Sequence, residues 1–207
     1  MGNKHEKLTE FEEHLLNDEK PSIYFRQLAD SRLFSDTYPF TLLVVDLAAE
    51  RRYLSEDPRV FMWSALLHDL GKAHTTKVRR GKITAYDHDK HGAILAADFL
   101  KEFTDDEEFI KRVSQMVRWH MQVLFVVKKL PFADIDKMVT EVSLGEIALL
   151  SLCDRLGRGD MNEKTKQEEI ENIKYFLQKC QQHQDDVRQN TLVSGFFERE
   201  DLPSTCR

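Results

Sequence analysis

Apolar residues recur at helical spacing along almost the whole 207-residue chain. In "LTEFEEHLL" they are Leu8, Phe11, Leu15 and Leu16, and the same steps of three and four residues return in "FTLLVVDLAAERRYL" and "KQEEIENIKYFLQKC". Residues spaced in this way share one face of an α-helix, which must be buried against another element. The pattern therefore predicts an all-α fold, a bundle of helices.

One segment interrupts the helical pattern, near residues 75–86. In "TTKVRRGKITAYDH" β-favouring residues stand on both sides of Arg80-Gly81, which predicts a short hairpin or an extended loop. We expect the rest of the chain to divide into a helical N-terminal segment, a main domain and a loosely ordered C-terminal tail. Their expected bounds are 1–36, 37–183 and 184–207.

Composition narrows the class of protein. Hydrophobic residues make up 41% of the chain and charged residues 32%, which is typical of a soluble globular protein. The formal net charge of −6 argues against a general DNA-coating protein. No apolar run approaches the roughly 18 residues that span a bilayer, and the polar N-terminus is unlike a secretory signal. Three widely spaced cysteines fit a reducing compartment, so we expect a cytoplasmic protein that makes no membrane contact.

Several residues have the character of helix boundaries. Asp57 followed by Pro58 predicts the start of a helix, because aspartate caps helix N-termini and proline is tolerated in the first turn. Gly71 is predicted to end that helix. Ser143 and Glu146 match a capping box at the start of a later helix.

A set of polar residues stands on otherwise apolar helix faces or at their ends. A single inward histidine is more often a hydrogen-bonded core residue than a ligand. Several histidines occur here together with carboxylates, and burial of a carboxylate is costly without a partner. A bound cation would account for all of these polar residues at once. Mixed nitrogen and oxygen ligands suit a divalent ion such as Mn, Fe, Co, Ni, Zn or Mg. The candidate ligands are His68, Asp69, His88, His120 and Asp154.

The sequence motifs around these residues resemble those of the HD superfamily of metal-dependent phosphohydrolases. "ALLHDLGK" resembles its signature, and "YDHDKHGAILAADFL", "MVRWHM" and "LSLCDRLGRGD" resemble its later motifs. Over roughly residues 8–160, order and spacing are most similar to the HD domain of bacterial CCA-adding tRNA nucleotidyltransferases. The nucleotidyltransferase head of those enzymes has no counterpart in the sequence, so we do not expect the chain to add nucleotides by itself.

The resemblance implies a ligand set and a chemistry. In binuclear relatives the aspartate of the HD pair and the two middle histidines hold a second metal, and Asp69, His88 and His120 match them. His91, one turn after His88, is an alternative ligand. A bound ion would lower the pKa of a water that attacks phosphorus, with Asp69 and Lys72 as catalytic residues. One departure is Phe40 in "FTLLVV", where the family has a histidine that helps to hold the first metal.

Basic residues near the proposed site are candidates for contacts with substrate phosphate. The expected substrate is a small phosphorylated molecule, a nucleotide or related phosphate ester, with RNA as a further possibility. Phe40 leaves open a catalytically silent nucleotide- or RNA-binding module, and a helical interaction domain with a purely structural polar core is the third alternative. The candidate substrate-binding residues are Lys72, Arg79, Arg80 and Arg155.

Overall fold

The fold is built from helices and one small sheet, as the sequence predicts. The computed structural model describes the backbone of residues 4–29, 38–159 and 161–197, and the side chains of 10–25, 41–159 and 161–185. In chain order the elements are α1 (Lys4–Asn17), α2 (Ser22–Ala29), α3 (Tyr38–Ala49), a 3-10 turn (Arg52–Leu54), α4 (Pro58–Leu67), α5 (Lys72–Thr75), β1 (Thr76–Arg79), β2 (Lys82–Ala85), α6 (His88–Lys101), α7 (Glu107–Trp119), α8 (Gln122–Val127), α9 (Ile135–Glu141), α10 (Leu144–Leu156) and α11 (Glu163–Phe197).

Helix α4 is the centre of the bundle. Every residue from Val60 to Leu67 is buried, as expected of a helix that is surrounded by others. It packs against α1, α3, α7 and α10, while α6 and α7 form a neighbouring pair. The indole N–H of Trp63 donates to the carboxylate of Glu12 over 2.9 Å and ties α1 to α4. The C-terminal end of α4 therefore lies where several elements converge.

Of the two alternatives for residues 75–86, a short hairpin or an extended loop, the structure has the hairpin, formed by two antiparallel strands. Val78 pairs with Ile83 in the register of β1 and β2. The two turn residues both have positive φ, 51° at Arg80 and 74° at Gly81. This is the backbone that a two-residue hairpin turn requires, since its twist matches that of the flanking strands.

The start of α4 agrees with the prediction, but its end does not. Asp57 accepts from the backbone N of Val60 over 3.2 Å, with a proline at the first helical position. The helix stops at Leu67, and Gly71 has an ordinary φ of −64°, so it is no left-handed terminator. Position 71 requires a glycine for another reason, the close approach of α6. A Cβ there would overlap the carbonyl oxygen of His88 and lie 2.6 Å from the backbone N of Gly92.

The predicted capping box at α10 is wrong. Ser143 is the N-cap, but its hydroxyl makes no capping bond and instead donates to the carboxylate of Glu56 over 3.1 Å. Glu146 accepts from the hydroxyl of Ser55 (2.7 Å) and the backbone N of Glu56 (2.9 Å). Ser143 and Glu146 therefore bond to the loop before α4, and the reciprocal bonds of a capping box are not formed.

The last helix is longer than the sequence pattern suggests. α11 begins at Glu163 and continues to Phe197, into the segment that we expected to be a loosely ordered tail. Ile173, Phe176 and Cys180 form its buried stripe. Residues 198–207 lie outside the described residues. Among the helices of the described part, none is long and apolar enough to cross a membrane.

Candidate metal centre

Four helices bring the candidate ligands together. His68 follows the last residue of α4, with Asp69 next to it, and His88 begins α6. His120 follows the last residue of α7, and Asp154 lies in the last turns of α10. The three histidines and Asp154 are buried, and Asp69 is half-buried.

Each of the three histidine rings is held by a backbone carbonyl three residues earlier. Because a carbonyl can only accept, each Nδ1 must carry the proton, and Nε2 is left as the atom that can bind a cation. At the ends of α4 and α7 these bonds satisfy carbonyls that have no intrahelical partner. The distances are 2.9 Å from His68 to Ala65, 2.7 Å from His88 to Ala85 and 2.6 Å from His120 to Val117.

The closest cluster consists of Asp69, His88 and His120. Nε2 of His88 lies 3.2 Å from Nε2 of His120, and Oδ1 of Asp69 lies 3.6 Å and 4.0 Å from these two atoms. One ligand atom from each residue lies within 4.8 Å of the others. The two Nε2 atoms face each other, and a divalent cation between them would bind both. The donor set of two nitrogens and one oxygen fits such an ion.

His68 and Asp154 adjoin this cluster. Nε2 of His68 lies 3.4 Å from Oδ2 of Asp69 and 3.7 Å from Oδ1 of Asp154. It makes no hydrogen bond and is, among the described residues, the one buried side-chain nitrogen or oxygen without a partner. A buried polar atom left without a partner is costly, and a cation that takes the place of its proton would give Nε2 a partner.

The electrostatics of the cluster are dominated by burial and by its own charges. Burial opposes protonation of His68, but Asp69 and Asp154 outweigh it and raise its pKa to about 10. Burial, then the charges on His68 and His88, lower the pKa of His120 to about 3. Burial would raise the pKa of Asp69, but His68 and Lys72 hold it well below its usual range. Near neutral pH the Asp69 carboxylate is therefore ionised and His120 is neutral, as metal ligation requires.

Two cations border the carboxylates. Nζ of Lys72 lies 2.6 Å from Oδ2 of Asp69, and Nη2 of Arg158 lies 2.8 Å from Oδ2 of Asp154. Burial would raise the pKa of Asp154, but His68 and then Arg158 lower it. Arg155, one residue after Asp154, is half-buried, and burial followed by the charge of Arg158 lowers its pKa.

The other candidate residues lie away from the cluster. Arg79 and Arg80 are exposed on the hairpin, and neither bonds to the cluster within the part of the chain that is described; the Arg79 guanidinium lies 5.3 Å from the ring centre of Tyr86.

His91 is exposed, whereas His88 is buried, so the structure brings His88 and not His91 to Asp69. The backbone of Phe40 lies in α3, but its side chain is outside the described residues.

A scan against protein families matches residues 38–158 to the HD domain, which is more than half of the chain. The chain belongs to the HD domain family. The match extends from α3 to just beyond α10 and contains every candidate ligand of the HD domain. A search of curated proteins found no match. The closer likeness to the HD domain of CCA-adding enzymes therefore stays a prediction.

The HD domain also contains a partly buried ion pair that we did not predict. Asp89, next to His88, is buried and accepts from Arg118 over 2.5 Å. The Arg118 guanidinium lies 4.6 Å from the ring centre of Trp119, whose indole N–H donates to Glu141 over 2.7 Å. The pair joins the first turn of α6 to the last turn of α7, and so connects the residues beside His88 and His120. The one feature of the sequence that could have indicated this ion pair is an acidic residue, Asp89, in the first turn of α6.

Proposed function

We propose that this HD domain is a metal-dependent phosphohydrolase that acts on a nucleotide or a related phosphate ester. The observation that supports the proposal is the convergence of the Asp69 carboxylate and two oriented imidazoles, His88 and His120, on one point. Membership of the HD family supports the same chemistry.

Each part of the cluster has a definable task in such a reaction. The carboxylate of Asp69 and the Nε2 atoms of His88 and His120 would hold the ion, with His68 and Asp154 as further ligands implied by the family resemblance. When bound, a divalent ion supplies a Lewis acid and a water of lowered pKa. Lys72 would neutralise substrate phosphate at the rim, since its ammonium lies beside Asp69 and remains partly exposed.

Orientation and charge come from the chain itself. The backbone carbonyls of Ala85 and Val117 fix the two rings, so that Nε2 of each ring is presented without reorganisation. Arg158 balances the charge of Asp154 and leaves its second oxygen, Oδ1, directed towards His68. A phosphate dianion that enters the site would meet two cations and a set of carboxylates already compensated by them.

The first test is metal content combined with activity. The full chain is purified without chelator, analysed for divalent metals, and assayed on phosphomonoesters and phosphodiesters with added Mn, Co or Ni. We expect stoichiometric metal and metal-dependent turnover in the wild type, and the loss of both in His88→Ala. His91→Ala is the matched control, because it removes an exposed histidine from the same helix and should change neither. A wild-type protein without metal and without turnover would refute the proposal.

The alternative is a catalytically silent nucleotide- or RNA-binding module, which rests on Phe40 at the family's first histidine position. Metal-dependent turnover that Asp69→Ala abolishes would exclude it. A third alternative, a helical interaction domain with a structural polar core, predicts that chelation leaves the melting temperature unchanged. A metal protein instead loses the stabilisation that ligand binding contributes, about 2.7 kcal/mol at a hundredfold excess over Kd.

A further inference from the structure

The β1–β2 hairpin is a cationic element in an acidic chain. Residues 76–85 contain Lys77, Arg79, Arg80 and Lys82 and no acid, although the chain has a net charge of −6. None of these four side chains forms an ion pair with any described residue. Helical lysines differ, because many have an acidic partner three or four residues away. Those that pair in this way are Lys72, Lys90, Lys101, Lys111, Lys164, Lys166 and Lys174.

The register separates the hairpin into two faces. Residues that pair across an antiparallel ladder lie on the same face, and neighbours along a strand lie on opposite faces. Arg79 pairs with Lys82, and Lys77 lies two residues before Arg79, so these three cations share one face. Val78 and Ile83 pair on the other face and are 74% and 78% exposed. The described residues cover neither face.

The base of the hairpin is joined to the candidate metal centre. The hydroxyl of Thr76 donates to the carbonyl of Lys72 over 2.6 Å, and the carbonyl of Ala85 accepts from His88. Four residues per strand at about 3.3 Å each place the turn on the order of 13 Å from this base. Tyr86, 62% exposed, stands at the base beside Arg79. A row of cations with one aromatic ring therefore leads outwards from the site.

We propose that this hairpin binds the sugar-phosphate backbone of a single-stranded polynucleotide whose terminal phosphate enters the metal centre. This inference rests on the proposed phosphohydrolase function and specifies its substrate class. A mononucleotide at the centre would leave the cations near the turn without a partner, whereas a chain of phosphates would meet them in succession. Cationic side chains beside an exposed aromatic ring are the combination by which proteins bind single strands, with bases stacked on the ring.

The direct test measures binding of labelled oligouridylate and oligodeoxythymidylate to the full chain by fluorescence anisotropy, without added metal and over a range of salt concentrations. We compare Lys77→Gln/Arg79→Gln/Arg80→Gln/Lys82→Gln with the control Lys111→Gln/Lys164→Gln/Lys166→Gln/Lys174→Gln, which removes the same charge from helices. The hairpin variant should bind about tenfold or more weakly, and its salt dependence should flatten by about 0.7 in log–log slope for each phosphate that it no longer neutralises. The two oligonucleotides distinguish RNA from DNA as the preferred strand.

A second variant does not alter charge. Tyr86→Ala removes the ring on which a base would stack and should weaken binding by about fivefold or more. Wild-type protein that does not bind either oligonucleotide would overturn the inference, as would equal reductions of affinity in the hairpin and control variants. Unfolding monitored by circular dichroism shows that each variant is folded before its affinity is interpreted.

The two proposals fail in different ways. If wild-type protein hydrolyses p-nitrophenyl phosphate but does not bind either oligonucleotide, the polynucleotide inference is wrong and the phosphohydrolase stands. If it binds both strands through the hairpin but hydrolyses no phosphoester with any added metal, the phosphohydrolase is wrong. In that case the polynucleotide surface stands without catalysis.

Discussion

Nε2 of His88 lies 3.2 Å from Nε2 of His120, and Nδ1 of each ring donates to a backbone carbonyl. The backbone carbonyls that fix the rings therefore hold both Nε2 atoms in an arrangement suited to a shared cation. The neighbouring oxygen of Asp69 supplies the negative charge that such a cation needs. The two rings are therefore already oriented for a metal ion before it binds.

Metal binding should displace a proton from His68. Its pKa is raised to about 10, so the metal-free protein carries this proton at neutral pH, whereas Asp69 is already ionised and His120 already neutral. Metal affinity should therefore rise as pH increases from 7 towards 10, by up to about tenfold for each unit. Titration calorimetry in buffers of different ionisation enthalpy should detect release of about one proton. His68→Ala should abolish the release, and an unchanged value in that variant would contradict the assignment.

Gly71→Ala should damage both stability and the site. A Cβ at Gly71 overlaps the carbonyl oxygen of His88, so α6 must move and His88 with it. We expect a decrease of about 1–3 kcal/mol in the free energy of unfolding measured in urea, together with weaker metal binding. Gly145→Ala is the control, since a Cβ there meets only the hydroxyl of Ser143 at 3.7 Å. Equal effects of the two substitutions would exclude the close approach as the cause.

Asp89→Asn should weaken metal binding although Asp89 is not a ligand. The substitution removes the charge that Arg118 pairs with and loosens the link between α6 and α7. Competition with a chromophoric chelator should show affinity reduced by about 10–100-fold, the usual effect of residues that orient ligands. Asp98→Asn on the same helix removes an exposed carboxylate that pairs with Lys101 and should have little effect. If His88 is correctly held without Asp89, the two variants will bind metal alike.

Phe40→His tests the position at which the chain departs from the family pattern. If residue 40 faces the centre as the resemblance implies, the added imidazole should increase metal affinity measured with the same chelator. Phe40→Leu is the control, because it keeps an apolar side chain and adds no ligand. An increase in neither variant would show that residue 40 does not reach the metal.

Much of the architecture was predictable because its causes are local. Helical periodicity determined the fold class, and β-favouring residues on both sides of Arg80-Gly81 located the one interruption, where the structure has a turn with positive φ. Asp57 capped its helix as predicted, since the contact spans three residues. The candidate ligands stood out for a similar reason, as polar residues at the ends of apolar stripes.

The tertiary structure decided what depends on neighbours distant along the chain. It buries His88 and exposes His91, and it turns Nε2 of each candidate ligand histidine inwards. Gly71 does not end α4 as a left-handed cap. It is a glycine because the backbone of α6 lies against it, a contact that no local rule predicts. Likewise Glu146 binds the loop before α4 rather than Ser143. The amino-acid sequence by itself determined which residues could form a metal centre. The packing of α4, α6, α7 and α10 determined which atoms meet, because distance and burial exist only once the helices are assembled.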